Sequence, residues 1–370
     1  MRRYRNNMEP IRILYVNGGL MDRGGVASVM MSYFLRIDPK VVHIDFVVHG
    51  NGVGDRDEEI LHRGSKIFKV PPKSKDFGGN YRGLKKIMSE GKYDIVHAHA
   101  DSGNALILKI AKECGIKVRI SHSHNTNFNI TNQFRILLNY FQMKQISKYA
   151  THKWACSVAA GEWLYGLQSR FEVIPNAIEL SKFKFDSAMR DKLRIEYGLM
   201  GKRVIGHIGR FDYQKNQLFL IDAFAKAAEK DETLRLILIG DGKDRTEIEN
   251  AIKKSFIEDK VILMGQRSDV YSLLNIMDIF VLPSKFEGFP VVTIEAQANG
   301  LHCLCSDIIT RETNLTGNNK YLPLEKSIWT NELLKVYKRD ESMMDKIIEQ
   351  GYEIINASQK LQERYIQMVK

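Results

Sequence analysis

The 370-residue sequence lacks several features that would assign it to a class at once. No run approaches the roughly 18 consecutive apolar residues that a membrane-spanning helix needs. The basic N-terminal stretch has only a short apolar part and no small-residue cleavage site, so it is not typical of a signal peptide. The four cysteines show no disulfide-framework or metal-ligand spacing, and reduced thiols suit the cytosol. We therefore expect a cytoplasmic protein.

Positive charge is abundant but unevenly spread. Residues 1–180 hold 26 Lys and Arg against 16 Asp and Glu, whereas the remainder holds 29 against 28. No zinc finger or aromatic-rich RNA-binding signature accompanies the charge, so we expect no nucleic-acid partner. Residues 132–154 mix aromatic and aliphatic side chains with Arg and Lys, a pattern typical of helices that lie on anionic lipid. An ordinary surface helix with a solvated basic face is the alternative.

Short apolar runs alternate with helical patterns through both halves of the chain. This alternation predicts an α/β protein with two Rossmann-like, doubly wound domains, residues 1–184 and 185–370. A helix over about 345–370 is a candidate to pack back on the first domain. The predicted strands are residues 11–16, 43–49, 66–71, 93–99, 117–124, 153–158 and 171–177, then 203–210, 234–240, 260–265, 278–283 and 302–307.

The stretch FEGFPVVTIEA places Glu287 and Glu295 eight positions apart, just after a predicted strand. Pro290 suits the first turn of a helix and Gly300 suits its end. Glu287 is therefore expected in the connecting loop and Glu295 in the second helical turn. In open α/β sheets, ligands bind beyond the carboxyl ends of the strands.

The stretch GRFDYQKN follows the first strand of the second half. Arg210 and Lys215 stand five residues apart in this loop. An Arg fork and a Lys ammonium can together hold a diphosphate and offset the charge of a nucleotide leaving group. A pair of solvated loop side chains is the alternative.

Two glycine-rich turns also follow predicted strands. NGGLMDRGGVA contains Gly24 and Gly25, and a helix starting at Gly25 or Val26 would direct N–H groups at a phosphate. ILIGDGKD contains Gly240, which can bring backbone close to a ligand. A plain strand-to-helix turn is the alternative for both patterns, and for NGGLMDRGGVA taken alone it is favoured.

Histidines alternate at the ends of two predicted strands. In RISHSHN, His122 and His124 would share a face, as zinc ligands do, but the spacing offers no third ligand. A hydrogen-bonding role is favoured over metal for this pair. The His pair of HAHAD, residues 97–101, is interpreted as structural. Asp55 and Asp57 form an Asp-x-Asp pattern in an acidic loop that we attribute to chance.

In their order and spacing, GRFDYQKN, LIGDGKDRTEIE and FEGFPVVTIEAQANG resemble glycosyltransferase family 4, whose members are retaining enzymes of GT-B fold. VIPNAIEL and RGGVASVM are similar to the family's interdomain link and N-terminal glycine loop. RISHSHN is similar to bacterial enzymes of capsule and exopolysaccharide synthesis. The resemblance covers nearly the whole chain.

The resemblance implies a GT-B architecture, with two Rossmann-like domains facing across a cleft, and a role for each motif. Glu287 would lie by the transferred sugar, Glu295 would bind the nucleotide ribose, and His124 or His122, with His124 favoured, would reach a sugar hydroxyl. The residues implied in donor binding are Gly24, Gly25, Arg210, Lys215, Gly240, Glu287, Gly288, Phe289, Pro290, Val291 and Glu295.

The implied function is retaining transfer of a hexose or N-acetylhexosamine from a nucleotide diphosphate sugar, with UDP favoured. The acceptor would be a sugar, with a lipid-linked oligosaccharide favoured, in capsule or exopolysaccharide synthesis at the inner face of the membrane. No metal or other cofactor is implied. The alternatives are a sugar-nucleotide epimerase or hydrolase of the same fold and a non-catalytic sugar-nucleotide-binding subunit.

Overall fold

The structure, a computed structural model, describes residues 9–22, 24–128 and 132–370. It divides into two compact units. The first runs to Ile178 and takes in Glu353–Lys370, and the second comprises Glu179–Tyr352. No helix in the described ranges is both long and apolar enough to cross a membrane.

The first unit is built on a seven-stranded parallel sheet with the order β3-β2-β1-β4-β5-β6-β7. The order reverses between β1 and β4, which is where ligands bind in sheets of this kind. Its strands are β1 Ile11–Asn17, β2 Val42–His49, β3 Ile67–Val70, β4 Ile95–His99, β5 Val118–Ser123, β6 His152–Ala155 and β7 Glu172–Val173. Its first six helices are α1 Gly25–Phe34, α2 Asp57–His62, α3 Phe77–Glu90, α4 Asn104–Glu113, α5 Gln133–Tyr149 and α6 Val158–Tyr165.

The second unit repeats this plan with a six-stranded parallel sheet, ordered β10-β9-β8-β11-β12-β13. Its strands are β8 Arg203–Ile208, β9 Leu234–Ile239, β10 Val261–Gly265, β11 Ile279–Leu282, β12 Cys303–Ser306 and β13 Asn319–Leu322. Its helices are α7 Ser187–Glu196, α8 Gln217–Ala228, α9 Arg245–Lys254, α10 Val270–Leu273, α11 Val291–Ala298, α12 Lys326–Leu333 and α13 Met343–Glu349. Among the described residues, 3₁₀ turns lie at Asp101–Gly103 in the first unit and at Leu180–Phe183, Leu274–Ile276 and Arg311–Thr313 in the second.

The central strands of both sheets are buried on both faces, which explains their nearly continuous apolar sequences. In the second unit, one face packs around Phe224 and Trp329 and the other around Met277 and Phe280, all four fully buried. Each predicted strand overlaps an observed one, whereas the short edge strand β13 was not predicted. It carries exposed Lys320 and only four residues, so its apolar signal is weak.

The closing stretch forms two helices rather than the single helix that its periodicity predicts. The helical conformation is interrupted at Gly351, whose φ of 84° is a left-handed value that glycine adopts readily. The final helix, α14 Ile354–Val369, belongs to the first unit, where Ile354 N donates to Ile178 O at 3.0 Å. Buried Tyr365 of α14 hydrogen bonds Tyr15 of β1, with 2.7 Å between the hydroxyl oxygens.

Candidate active site

Lys215 and Glu287 form an ion pair beyond the carboxyl ends of two neighbouring strands. Lys215 follows β8 and Glu287 follows β11, and these strands are paired in the sheet. The Lys215 Nζ lies 2.6 Å from Glu287 Oε1, and both side chains are largely buried. Two residues that are 72 positions apart in sequence are thus joined at the edge where the sequence predicted donor binding.

Two further side chains, which sequence reasoning missed, fix this pair. Gln214 Nε2 donates to the second carboxylate oxygen of Glu287 at 3.2 Å and to Phe286 O at 3.0 Å. Buried Asp212 accepts from the backbone N of Lys215 at 3.2 Å. Both lie inside GRFDYQKN, so their place between the two basic residues was the available signal.

Arg210 is disposed differently from Lys215. Its side chain is 64% exposed, and its Nε donates to Asp212 Oδ2 at 2.6 Å. Asp212 therefore orients both basic residues, one through the guanidinium and one through the backbone. The result is an oriented guanidinium at the surface beside a buried ammonium.

Helix α11 carries the second glutamate as predicted, one helical turn beyond the loop of Glu287. Pro290 is the N-cap and the helix begins at Val291, so Pro290 stands just outside the first turn rather than in it. The first N–H groups of a helix have no intrahelical acceptor, which leaves donors at this end. Phe289 is buried and stacks on Tyr352 with 5.6 Å between ring centroids, which anchors the loop.

Glu295 is half-buried, and within the described part of the chain its carboxylate has no hydrogen-bonding or ion-pair partner. Burial raises its pKa to about 7. A carboxylate kept without a partner in a low-dielectric setting is costly, so such groups concentrate at functional sites.

Gly240 permits a close approach between two loops of this edge. Its φ is 140°, and a Cβ there would lie 2.0 Å from Gly209 O. Its N–H already donates to Gly265 O at 2.8 Å. A side chain at this position would clash with the backbone of Gly209. Glycine therefore lets the turn after β9 pack against the start of GRFDYQKN.

In the first unit, Gly24 and Gly25 lie at the start of α1. Gly24 is the N-cap, α1 begins at Gly25, and both glycines are exposed. Apart from chain neighbours and the nearby backbone of α1, no atom of the described chain lies within 4 Å of a Cβ added at either position. Arg23, the first residue of RGGVASVM, lies outside the described residues.

Four histidines form one buried cluster, three from β4 and β5 and one from the residue that follows β5. His97 and His99 come from HAHAD, and His122 and His124 come from RISHSHN. His97 Nε2 lies 3.1 Å from His122 Nδ1, and His99 Nδ1 lies 2.8 Å from His124 Nε2. Sequence reasoning treated the two pairs separately, and the structure joins them crosswise.

All four imidazoles are neutral. Burial is the main cause, and it lowers the pKa of His97, His99 and His122 well below the usual value and that of His124 to about 3. An uncharged imidazole can donate through one ring nitrogen and accept through the other. The cluster is thus suited to directional hydrogen bonding.

Near His122 the structure brings together candidate nitrogen ligands that the spacing in the sequence did not reveal. One ring nitrogen from each of His97, His99 and His122 lies within 4.8 Å of the others, so these residues could hold a metal ion. His97, however, already uses Nδ1 toward Tyr365 at 2.8 Å and Nε2 toward His122. Metal binding through His97 would have to displace one of these bonds.

The acidic loop that contains Asp55 and Asp57 is partly structural. Asp57 is buried at the start of α2, and its Oδ2 accepts from Gly54 N at 3.0 Å. Asp55 is exposed. Asp57 therefore serves the turn that precedes α2.

Family models match both halves of the chain. Residues 23–182 match the model described as Glycosyltransferase Family 4, and residues 189–353 match Glycosyl transferases group 1. The chain is also 33% identical over 318 residues to EpsF of Bacillus subtilis, a protein named as a glycosyltransferase, across 83% of this chain and 82% of EpsF. The chain belongs to glycosyltransferase family 4.

A second relative has a more specific name. Over 318 residues, 77% of this chain and 78% of the relative, the chain is 26% identical to the UDP-Gal:α-D-GlcNAc-diphosphoundecaprenol α-1,3-galactosyltransferase of Escherichia coli. Relatives of this family thus include an enzyme of lipid-linked sugar assembly.

Solved structures confirm the predicted fold class. Anabaena HepE in complex with UDP and glucose matches with a TM-score of 0.78 at 19% identity, over 96% of this chain and all of HepE. WaaG, a glycosyltransferase involved in lipopolysaccharide biosynthesis, matches with a TM-score of 0.69 at 14% identity, over 95% of this chain and 99% of WaaG. Both likenesses show the fold, two Rossmann-like domains of the GT-B type.

Proposed function

We propose that this glycosyltransferase moves a hexose or N-acetylhexosamine from a UDP-sugar to a lipid-linked acceptor, with retention and without a metal. The observation that carries the proposal is the buried Lys215–Glu287 pair at the strand ends, one helical turn before the unpartnered carboxylate of Glu295. The EpsF and galactosyltransferase relatives support polysaccharide assembly as its setting.

In this proposal the second unit binds the donor. Arg210 and Lys215 would hold the diphosphate, since a guanidinium and an ammonium match its two phosphates. Backbone N–H groups of Gly288, Phe289 and Val291 would lie along the donor between Glu287 at the sugar and Glu295 at the ribose. Gly240 would keep the turn after β9 close enough to complete the site.

The first unit would supply two further groups. Gly24 and Gly25 would bring the N-terminal end of α1 to the phosphates, because an exposed helix start without side chains allows close approach. His124 would hydrogen bond a sugar hydroxyl through its remaining ring nitrogen. His122 is a weaker candidate, because it lies inside β5 and its other ring nitrogen is buried, whereas His124 follows the end of the strand.

The chemistry needs no side-chain nucleophile. The acceptor hydroxyl would attack the anomeric carbon from the face that the diphosphate leaves, and a leaving oxygen would take the proton. Lys215 and Arg210 would stabilise the negative charge that develops on the leaving diphosphate. The α-linked product in the galactosyltransferase relative's name supports retention, because hexoses in UDP-sugars are commonly α-linked.

The first half of α5 supports a membrane-bound acceptor. Its exposed apolar side chains recur at helical spacing and form one stripe of Phe134, Leu137, Leu138 and Phe141, each 44–69% exposed. Exposed Lys144 and Lys148 continue the same face toward the helix end. An apolar stripe that ends in lysines suits a surface of anionic lipid, with the apolar side chains among the acyl chains and the ammonium groups at the headgroups.

The function is tested by incubating the protein with a radiolabelled UDP-hexose panel, with and without undecaprenyl-diphosphate-linked sugar, in the presence of EDTA. We expect acceptor-dependent transfer that EDTA leaves unchanged, and an α-linked product by NMR. Release of free sugar or its epimer without acceptor would favour a hydrolase or epimerase. Donor binding by calorimetry without turnover on any acceptor would favour a non-catalytic subunit.

Membrane attachment has its own test. The protein should sediment with phosphatidylglycerol vesicles at low salt, and the F134S/F141S variant should lose most of this binding. Phe77→Ser is the matched control, because Phe77 is a 60% exposed aromatic on α3 of the same unit. Equal binding of both variants, or no binding by the unsubstituted protein, would count against the α5 surface.

A further inference from the structure

The end of β4 contains two groups to which the proposed function gives no task. His99 is the last residue of β4, and Asp101 opens the 3₁₀ turn that follows. His99 is buried and Asp101 is half-buried, and both contact the segment that carries His124.

Three hydrogen bonds link this strand end to His124 and its neighbour. His99 Nδ1 lies 2.8 Å from His124 Nε2. Asp101 Oδ1 accepts from the backbone N of His124 at 3.0 Å, and Asp101 Oδ2 accepts from Asn125 Nδ2 at 2.6 Å. The ring of His124 and its backbone are therefore each fixed from the adjacent strand.

The backbone of Asp101 is held in an unfavourable conformation. Its φ is 46°, in the left-handed region, where a residue with a Cβ costs about 1–2 kcal/mol although Asp tolerates it better than most. This conformation places both carboxylate oxygens toward His124 and Asn125. Strain of this kind is retained where surrounding structure requires it, often at functional sites.

The pairing of His99 with His124 also fixes where the ring protons lie. Two neutral imidazoles joined by one hydrogen bond have two arrangements, which differ in the donating ring. Among the described residues, buried His99 Nε2 has no hydrogen-bond partner. If His124 donated, His99 would carry a proton on that nitrogen, and a buried N–H without an acceptor is rarer and costlier than a bare lone pair.

We propose that His99 and Asp101 are positioning residues that hold His124 with its ring proton on Nδ1. His99 donates from Nδ1 to His124 Nε2, and His124 then offers Nδ1–H as a directed donor. In the proposed function this donor meets a sugar hydroxyl oxygen. The inference relies on that function for the ligand of His124 alone, because the position of the proton is a property of the free protein.

The test combines ring ¹⁵N NMR with kinetics. In protein labelled with ¹⁵N-histidine, the resonances of His124 are identified by their loss in His124→Gln. We expect the Nδ1–H tautomer in the unsubstituted protein and its loss in His99→Leu. His99→Asn should preserve it, because the Asn amide nitrogen stands close to the position of the His Nδ1.

Turnover should follow the same order. We expect kcat to fall about 10- to 100-fold in His99→Leu with little change in donor KM, and to stay within about 3-fold in His99→Asn. His97→Asn is the control for loss of a buried imidazole, since His97 bonds Tyr365 and His122 instead. It should leave the tautomer of His124 unchanged, whatever it does to stability.

The outcomes separate the two proposals. An Nε2–H tautomer at His124, or a tautomer unchanged in folded His99→Leu, would overturn the positioning role. So would a shift of the His97, His99 and His122 resonances by one equivalent of Zn²⁺, which would show a metal site instead. The expected tautomers with unchanged kcat in His99→Leu would support the positioning role and contradict the assignment of His124 to the sugar.

Discussion

Lys215 Nζ lies 2.6 Å from Glu287 Oε1, and the two residues stand on loops that leave neighbouring strands. The residue proposed to bind the diphosphate and the residue proposed to lie by the sugar are therefore paired in the protein without a donor. A buried pair of this kind is weak evidence for stability, because the attraction has to offset the loss of hydration of both charges. The pair instead fixes the positions of the two side chains. The ammonium is kept at the strand ends, and the carboxylate is kept beside it.

Replacing Glu287 should separate turnover from donor binding. Glu287→Gln preserves shape and the bond from Gln214 but removes the charge beside the transferred sugar, so kcat should fall about 100-fold or more while UDP affinity changes less than about 5-fold. Steady-state kinetics and calorimetry measure the two quantities. The matched control is Glu332→Gln, which alters another buried glutamate paired with lysines in the same unit. Parallel losses in kcat and UDP affinity would show a general binding role instead.

Removing the ammonium should affect the nucleotide first. In Lys215→Met, we expect UDP affinity to fall at least about 10-fold, because a charge-assisted contact to phosphate is lost. Lys326→Met is the control, since Lys326 forms a solvent-exposed pair with Asp222 in the same unit. Differential scanning calorimetry should accompany the binding assay to check that the variant is folded, because the substitution leaves Glu287 buried without its cation. Unchanged UDP affinity in folded Lys215→Met would remove this residue from the donor site.

Glu295 should make donor binding depend on pH. Burial raises its pKa to about 7, so the ionised carboxylate is dominant only above that pH. The ionised form is the one that accepts hydrogen bonds from both hydroxyls of a ribose. The Kd for a UDP-hexose should therefore rise as pH falls below 7, by at most about tenfold per unit. A UDP-hexose is the right probe because its diphosphate diester does not titrate in this range, as the terminal phosphate of UDP does. Glu295→Gln should give a flat profile, and a flat profile in the unsubstituted protein would contradict this role.

The same carboxyl should lower stability above pH 7. Its pKa is higher in the folded than in the unfolded chain, so the folded chain binds more protons between about pH 4.5 and 7 and stability falls as pH rises through that window. Glu295→Gln removes this half-buried charge and should raise the free energy of unfolding at pH 8 by about 1–3 kcal/mol. Thermal melts at pH 5 and pH 8 measure this, and the stabilisation should shrink at pH 5. An equal effect at both pH values would point to packing rather than charge.

The strands and the order of the motifs were predictable because they depend on local pattern. Apolar runs of β-strand length located each predicted strand, and strand-turn-helix chemistry placed Glu287 in a loop and Glu295 in a helix. Side-chain contacts between neighbouring strands and their loops could not be predicted in this way. The bond between His99 and His124, 25 residues apart, depends on strand register, as does the bond between Lys215 and Glu287. Helical periodicity also ran through Gly351, where the backbone conformation overrides the pattern.

The anchoring of α14 on the first unit should depend on Tyr365. Its hydroxyl bonds both Tyr15 OH at 2.7 Å and His97 Nδ1 at 2.8 Å, and all three groups are buried. Tyr365→Phe leaves two polar groups unpaired in the interior, so the free energy of unfolding should fall by about 2–3 kcal/mol. Tyr140→Phe, which alters a tyrosine with a 48% exposed side chain, should change it by less than about 0.5 kcal/mol. Hydrogen exchange should show the amides of α14 losing protection in Tyr365→Phe, because the bonds that fasten this helix to β1 and β4 are gone. If protection were lost evenly over the whole chain, the loss in stability would not be specific to the contact between α14 and the sheet.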